Sequence, residues 1–319
     1  METINILCAT DNNYAPYCGI MLTSLFESNK DCRFEVFVFV DDTFSNNMSF
    51  VKLGARYKQR INIVAVDDSK IAGLPVVEGW VTSPTYYRLL ASELLPEYIH
   101  KSIYLDCDVI VSGDIKPLWK VDLEGMAVAG VKDYYLSKCG RGWRNDTPND
   151  YINAGVLVVD LDLWRKEGIS GLVLDYLWTN RDDKSKVYYM DQDALNAVLL
   201  DKKLVLPERF NYQVDIFNKN HWFYYSEEQR NCFIEEGKAV TVIHYLGMKP
   251  WRSRKNFGPL FNRWEEMRRK SLWPNCRAYI PWKKQIKFWV KRTFFPRLLR
   301  HQLKELWFMP KELCLFPSF

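Results

Sequence analysis

Apolar and polar positions along the first third of the chain alternate as strands and helices do. Continuous apolar runs predict strands at residues 4–10, 34–40 and 61–66, and apolar residues at helical spacing predict helices at about 15–27 and 45–58. This β-α-β alternation predicts an α/β fold with a central, mostly parallel sheet covered by helices. In such sheets, ligands bind at the carboxyl ends of the strands.

The same pattern continues through the middle of the chain. It predicts strands at 126–131, 154–161 and 239–245, and helices at about 172–179 and 191–200. Between the first two of these strands, residues 134–150 are rich in Gly, Asn and Asp. We predict that they form a long loop, a candidate lid over a ligand site.

In the stretch from Ile103 to Trp119, Asp106 and Asp108 lie two residues apart at the end of an apolar run. Side chains two apart on a strand share a face, so Asp106 and Asp108 would converge and repel each other unless a cation lay between them. The alternative is a solvated turn, with Gly113 and Asp114 closing a hairpin, because D-x-D is a short pattern that also occurs by chance. The surrounding motifs have to decide between the two.

Six stretches carry a recognisable order of motifs. They are ATDNNYAPY (9–17), TYYRLL (85–90), IYLDCDVIVSGDIKPLW (103–119), YINAGVLVVDLDLWR (151–165), MDQDALNAVL (190–199) and HYLGMKPW (244–251). Together they resemble the family-eight retaining glycosyltransferases, particularly the bacterial lipopolysaccharide and lipooligosaccharide galactosyl- and glucosyltransferases, with glycogenin as a more distant relative. The resemblance implies a GT-A nucleotide-sugar-binding fold. It also implies transfer of galactose or glucose from a UDP-sugar to a saccharide or glycolipid acceptor.

The resemblance implies that Asp106, Asp108 and His244 bind Mn²⁺, with Mg²⁺ as an alternative, on the diphosphate of the UDP-sugar. A hard dication with carboxylate and imidazole ligands suits Mn²⁺ and would neutralise the leaving UDP. Taken alone, His244 would be interpreted as a hydrogen-bonded histidine at a strand end. The motif that follows it favours the ligand role.

The resemblance also implies a site for the nucleotide. Tyr14 would lie against the uracil face and Asp11 would accept from its N–H edge. The full uridine set is Ala9, Asp11, Asn13 and Tyr14, and the diphosphate set is Lys249 with the backbone of Gly247. An alternative for TDNNY is a group of helix N-cap residues, and both can hold because a helix start also favours phosphate.

For the donor sugar, the matching positions are Arg88, Asn153, Ala154, Asp191 and Gln192. The alternatives are a surface helix cation for Arg88 and an N-cap for Asp191. An amide is a poor nucleophile, so Gln192 favours attack on the same face of the sugar from which UDP leaves, with Asp191 and Gln192 orienting the sugar. Asp133, after the strand at 126–131, is assigned to the acceptor.

Charge divides the chain into two parts. Residues 268–319 hold 13 Lys and Arg against Glu305 and Glu312, a net of +11, whereas residues 1–267 carry about −6 of the total +5. We therefore predict a catalytic domain at 1–267 and a basic, aromatic helical tail at 268–319 that binds an anionic membrane surface. The alternatives for the tail are a helix packed on the body and a nucleic-acid patch. No nucleic-acid motif accompanies it, so no such partner is predicted.

The eight cysteines contain no C-x-x-C pair and are expected to be reduced. Neither a signal peptide nor an apolar run of about 18 residues is seen. We therefore expect a cytoplasmic enzyme, peripheral on the inner face of the cell membrane. Two other function classes stay open: a metal-dependent nucleotidyl- or phosphotransferase, and a non-catalytic membrane-bound sugar-binding protein.

Overall fold

The computed structural model describes residues 2–76, 83–133, 150–214, 226–247, 249–252 and 259–276. The strands of these residues form a seven-stranded sheet in the order β3-β2-β1-β4-β7-β6-β8 and a three-stranded sheet in the order β5-β10-β9. The strands are β1 (Thr3–Ala9), β2 (Arg33–Val40), β3 (Arg60–Ala65), β4 (Lys101–Leu105), β5 (Val109–Val111), β6 (Val128–Lys132), β7 (Ile152–Asp160), β8 (Lys203–Leu206), β9 (Tyr212–Gln213) and β10 (Val242–His244).

Helices cover both faces of the large sheet. The α-helices are α1 (Ala15–Ser28), α2 (Asn47–Tyr57), α3 (Pro84–Tyr87), α4 (Ala91–Leu94), α5 (Lys116–Trp119), α6 (Leu161–Glu167), α7 (Ile169–Asn180), α8 (Asp191–Val198), α9 (Glu227–Gly237) and α10 (Pro259–Lys270). Short 3-10 turns lie at Asp68–Lys70, Arg88–Leu90 and Glu208–Phe210.

The large sheet is mostly parallel, as predicted. β1 pairs in parallel with β2 and β4, β2 with β3, and β6 with β8. β7 pairs antiparallel with both β4 and β6, so within this sheet it alone runs in the opposite direction. The start of β7 therefore lies at the same edge of the sheet as the carboxyl ends of β1 and β4.

The continuous apolar runs of β1 and β2 reflect burial on both faces, as expected for parallel strands. Alternate residues enter two separate cores. Val36 and Val38 pack with Met21 and Phe50 from α1 and α2 on one face. Phe37 and Phe39 belong to the core of the other face, which α6 and α7 complete with residues such as Trp164 and Val173.

The predicted elements are found with small shifts at their ends. The helices α6, α9 and α10 and the one-turn helices α3, α4 and α5 were not predicted. α6 begins at Leu161, the last residue of the strand predicted at 154–161. Its N-cap is Asp160, whose side chain accepts a hydrogen bond from the Leu163 N–H (2.9 Å). α9 begins with a capping box, in which Ser226 and Gln229 satisfy each other's backbone N–H groups. The strand predicted at 239–245 is shorter, Val242–His244.

The described end of the chain packs on the body. Trp273 lies so close to α1 that a Cβ at Gly19 would be 1.9 Å from its ring, and Lys270 pairs with Glu27 at 3.5 Å. The domain boundary at 267/268 stays a prediction. Residues 277–319 of the predicted tail and 134–149 of the candidate lid lie outside the described residues. Among the helices that the structure describes, none has the length and apolar character that a membrane span requires.

Candidate functional site

A cavity of about 280 Å³ opens at the edge of the sheet where β1 and β4 end and β7 begins. The start of α8 and the end of β10 complete its walls. All of the predicted site residues line this cavity except Asn13, Asp133 and Gly247. Residues that lie as far apart in the sequence as Ala9 and Lys249 are therefore brought to one place by the fold.

Asp106, Asp108 and His244 each offer a ligand atom within 4.8 Å of the other two. The convergence has a different cause from the one predicted, because Asp106 and Asp108 lie in the turn between β4 and β5 and not on one strand. His244 joins them because β10 pairs antiparallel with β5, which sets His244 opposite Val109. The turn is half-buried and lines the cavity, and β5 pairs with β10 and not with β4, so it is not the turn of a hairpin between β4 and β5.

Asp108 is the most strongly charge-paired residue of this group. The Lys249 ammonium contacts its Oδ2, and His244 Nε2 lies 3.3 Å from its Oδ1. Burial acts to raise the pKa of Asp108, but Lys249 and His244 outweigh it and hold the pKa well below its ordinary value. Asp108 therefore stays anionic and available to a cation.

The surroundings of the three side chains fit a metal ion. Two carboxylates and one imidazole are the ligand types that Mn²⁺ and Mg²⁺ sites use. A Cβ at Gly155 would lie 2.2 Å from His244 Cε1 and 2.8 Å from Asp106 Oδ2. The missing side chain at Gly155 thus provides the room in which Asp106 and His244 approach each other.

Arg88 joins the metal-binding candidates to the sugar-binding candidates. Its Nη2 lies 3.0 Å from Asp106 Oδ1 and its Nε lies 3.0 Å from Asp191 Oδ2. The guanidinium also sits 4.3 Å above the centre of the Tyr104 ring. Burial acts to lower the pKa of Arg88, but Asp106 and Asp191 raise it above its ordinary value. Arg88 is only 7% exposed, so the alternative of a surface cation is wrong.

Asp191 is the first residue of α8, with Met190 at the N-cap, so it is not itself the N-cap. Thr85 Oγ1 donates to Asp191 Oδ1 (3.1 Å). The other carboxylate oxygen, Asp191 Oδ2, is in ionic contact with Arg88 Nε, but among the described residues no directed hydrogen bond reaches it. Burial raises the pKa of Asp191 to about 6, against the opposing effect of Arg88.

Gln192, Asn153 and Asp133 form one hydrogen-bonded network. Gln192 Oε1 accepts from Asn153 Nδ2 (3.1 Å) and from the backbone N–H of Ala154 (3.0 Å). Gln192 Nε2 donates to Asp133 Oδ2 (3.1 Å) and Tyr151 Oη (3.3 Å). Asp133 is 3% exposed and lies behind the cavity wall. Its assignment to the acceptor stays a prediction.

At the predicted uridine end, Ala9, Asp11 and Tyr14 line the cavity, whereas Asn13 is exposed and does not. Asp11 Oδ1 accepts from the Tyr14 N–H (2.7 Å) just before α1. This contact matches the helix-start alternative, and it leaves the cavity role of Asp11 open. The Tyr14 ring meets Tyr17 edge-on, with 5.4 Å between the ring centres.

The turn after β10 completes this end of the cavity. Gly247 adopts a left-handed backbone conformation (φ +63°). Lys249 Nζ donates to the Tyr245 carbonyl (3.0 Å), as well as contacting Asp108. The left-handed turn at Gly247 thus brings Lys249 back to the carboxylates. The uridine and diphosphate roles of these residues remain predictions.

Several cavity residues were not predicted. Tyr104 donates to Asp106 Oδ1 (2.7 Å), and its position two residues earlier on β4 was the available signal. Met190 has a left-handed φ of 51°, a conformation that costs a non-glycine residue energy and is common at functional sites. Met190 begins the quoted motif MDQDALNAVL, but no role was assigned to it.

Three comparisons bear on this site. The model of glycosyl transferase family 8 matches residues 5–255. General stress protein A of Bacillus subtilis is 30% identical over 79% of this chain and 88% of its own length. A lipopolysaccharide 1,2-glucosyltransferase of Escherichia coli is 27% identical over 93% of this chain and 86% of its own.

Among solved structures, the chain is similar to the galactosyltransferase LgtC in complex with donor and acceptor sugar analogues. The two superpose with a TM-score of 0.71 at 25% identity, over 88% of this chain and 99% of that one. The predicted GT-A fold is therefore confirmed.

Proposed function

The chain belongs to glycosyl transferase family 8, and we propose that it transfers galactose or glucose from a UDP-sugar to a saccharide or glycolipid acceptor, with retention of anomeric configuration. The observation that carries this proposal is the convergence of Asp106, Asp108 and His244 in one cavity with the polar network of Gln192. The relatives named for lipopolysaccharide synthesis support a role in making a cell-surface glycan.

The metal end of the cavity suits a diphosphate. Asp106, Asp108 and His244 would hold Mn²⁺ or Mg²⁺, which neutralises charge on the leaving UDP. Lys249 contacts Asp108, and a cation bound to that carboxylate would free the ammonium for the phosphate oxygens. Lys249 would then offset the negative charge that grows as the sugar–phosphate bond breaks.

The sugar end suits a hexose held by its hydroxyl groups. Asp191 lines the cavity beside Gln192, where its carboxylate would orient the sugar; its Oδ2 is buried against Arg88 and has no directed hydrogen bond within the described part of the chain. The Gln192 amide oxygen already accepts two N–H bonds, which further weakens it as a nucleophile. Same-face attack follows: UDP leaves, the acceptor hydroxyl oxygen bonds to the anomeric carbon on that side, and its proton passes to the leaving phosphate oxygen.

A donor panel tests the proposal. With Mn²⁺ present, the protein is expected to hydrolyse UDP-galactose or UDP-glucose slowly and to leave CMP- and GDP-sugars intact. Asp108→Asn should lower the rate by at least about two orders of magnitude, because it removes a ligand of the charge-neutralising ion. An undiminished rate in EDTA would refute the metal assignment. Transfer of a nucleotidyl or phosphoryl group in place of the sugar would favour the nucleotidyl- or phosphotransferase alternative.

The location on an anionic inner membrane surface is also part of the proposal. It is supported by the charge of residues 268–319 and by Trp282, Phe288 and Trp289 among their basic residues. Truncation after Cys276 retains the packed Trp273 and every assigned site residue. The truncated chain should stop sedimenting with anionic vesicles and still hydrolyse the UDP-sugar. Equal sedimentation of both forms would show that the membrane proposal is wrong.

A further inference from the structure

Asn211 is a buried residue that lies between His244 and Asn153. It is 1% exposed and follows the 3-10 turn Glu208–Phe210. The next residues form β9, which pairs in parallel with β10 and so holds Asn211 beside the histidine. Asn211 Oδ1 lies 2.9 Å from His244 Nδ1, and Asn211 Nδ2 lies 2.9 Å from Asn153 Oδ1. One side chain thus touches both a metal candidate and a sugar-end residue.

The direction of these hydrogen bonds is fixed by the backbone. The N–H of Gly155 can only donate, and it lies 3.0 Å from Asn153 Oδ1, which is therefore an oxygen. The other side of that amide donates to Asp133 and to Gln192. Because Asn153 presents an oxygen to Asn211, the Asn211 amide must present its NH₂ group there and its oxygen to His244.

This arrangement selects one form of the histidine ring. An oxygen facing His244 Nδ1 requires a proton on Nδ1, so in the neutral ring Nε2 carries the lone pair. Nε2 is the ring atom that faces Asp108, at 3.3 Å from its Oδ1. A cation between His244 Nε2 and Asp108 Oδ1 would stabilise two acceptor atoms that lie so close together. A hydrogen bond to the other ring nitrogen is the usual way in which proteins orient a ligating histidine.

We propose that Asn211 is a positioning residue that holds His244 in its Nδ1–H tautomer, with Nε2 directed at the cation, and that couples this ring through Asn153 to Gln192 at the sugar end. This inference rests on the metal assignment in the proposed function. It adds a residue outside the cavity wall that acts through His244 and Asn153 and does not itself touch the substrate.

Nitrogen-15 NMR of the protein in saturating Mg²⁺, a diamagnetic dication, tests the tautomer directly. The chain has only four histidines, so His244→Ala suffices to assign the His244 signals. With the cation bound at Nε2, the native protein is expected to show the Nδ1–H form. Asn211→Ala removes the acceptor and should produce the other tautomer or a mixture. Asn211→Asp keeps an acceptor for the Nδ1–H but loses the donor to Asn153 Oδ1, so it should preserve the native tautomer and break the link to Asn153.

Mn²⁺ affinity, measured by calorimetry without any sugar donor, gives a second readout. Asn211→Ala should weaken binding about 10–100-fold, the usual effect of losing a partner that orients a metal ligand. Asn211→Asp should restore most of the affinity. Rescue of both tautomer and affinity by this variant distinguishes positioning from a loss of folded structure.

Asn196→Ala is the matched control. Asn196 is equally buried, at 4%, and hydrogen-bonds to both backbone groups of Ile152 and to the Gln192 carbonyl, at 2.8 Å in each case. The variant should destabilise the protein in urea unfolding but leave the His244 tautomer and the Mn²⁺ affinity unchanged. A similar loss of Mn²⁺ affinity in Asn196→Ala would assign the effect to general destabilisation and overturn the inference.

Two outcomes separate this inference from the proposed function. If His244→Ala binds Mn²⁺ as well as the native protein, the metal assignment itself is wrong. If His244→Ala loses Mn²⁺ affinity while Asn211→Ala keeps the native tautomer and affinity, only the role of Asn211 is overturned.

Discussion

The two ends of the cavity are held together by different forces. At the metal end, charged groups pair: Asp108 contacts Lys249 and faces His244. At the sugar end, the Gln192 amide is tied to Asn153 and to the Ala154 backbone by directed hydrogen bonds. A bound cation would rearrange the ionic contacts of Asp108. The hydrogen bonds of the Gln192 amide, in contrast, are all formed without a ligand. We therefore expect changes at the metal end to weaken metal or UDP binding, and through it the rate, and changes at the sugar end to alter the rate without weakening UDP binding.

Gly155→Ala should have the largest effect, because it disrupts the metal end directly. The new Cβ would lie 2.2 Å from His244 Cε1, so the ring or the backbone of β7 must move. We expect Mn²⁺ affinity to fall by on the order of 100-fold, at the upper end of the effect of losing ligand orientation. Calorimetry of the metal-free protein with Mn²⁺ measures this loss.

Gly171→Ala is the control for this substitution. Gly171 lies within α7, and a Cβ there would meet nothing within 4 Å. Alanine in a helix is more stable than glycine by roughly 0.5–1 kcal/mol, so this variant should be slightly more stable and bind Mn²⁺ normally. Native Mn²⁺ affinity in Gly155→Ala would mean that the room beside His244 is not part of a metal site.

Gln192→Ala and Lys249→Met sharpen the comparison between the two ends. Gln192→Ala should lower kcat for UDP-sugar hydrolysis by on the order of 100-fold without abolishing it, and should leave UDP affinity unchanged. Lys249→Met should weaken UDP binding, because it removes a cation beside the diphosphate. Steady-state kinetics and calorimetry with UDP provide the two readouts. An equal loss of UDP affinity in both variants would show that the two ends do not act separately.

The smallest expected effect is the pH dependence that Asp191 adds to stability. Its pKa is raised to about 6 in the folded protein, against roughly 3.9 in an unfolded chain. Between these values the folded state binds the proton more tightly, so the contribution of Asp191 is fully present below about pH 4 and is lost as pH rises through 6. Asp191→Asn lacks this titration.

Urea unfolding in EDTA between pH 4 and 7 measures that contribution. The free energy of unfolding of the native protein minus that of Asp191→Asn should fall as pH rises. Asp108, whose pKa is lowered, contributes in the opposite direction, but it is common to both proteins and is expected largely to cancel. A difference that stays constant or grows with pH would contradict the burial-driven shift.

The central strands could be predicted because burial on both faces of β1 and β2 requires unbroken apolar runs. α6 was missed because its N-cap, Asp160, is the last residue of the apolar strand β7. The small sheet was only partly predicted, since β9 and β5 have two and three residues and show no periodic pattern of their own.

The residues of the candidate site also divide into those that could be predicted from the sequence and those that could not. Residues inside the quoted motifs, such as Arg88 and Lys249, were assigned by resemblance, and the fold brings them into one cavity. Asn211 had no motif of its own, because its contact with His244 depends on the pairing of β9 with β10. Gly155 lies inside a quoted motif, but its role could not be predicted from the sequence, because that role is to leave space for His244 and Asp106.

The anomeric configuration of the released sugar tests the account most directly. Proton NMR can follow hydrolysis of UDP-galactose and UDP-glucose, whose sugars are α-linked, before the free hexose equilibrates in water. With same-face departure and attack, and with Gln192 held as an orienting amide, the first hexose released should be the α-anomer. Initial release of the β-anomer would contradict retention and, with it, the proposed function.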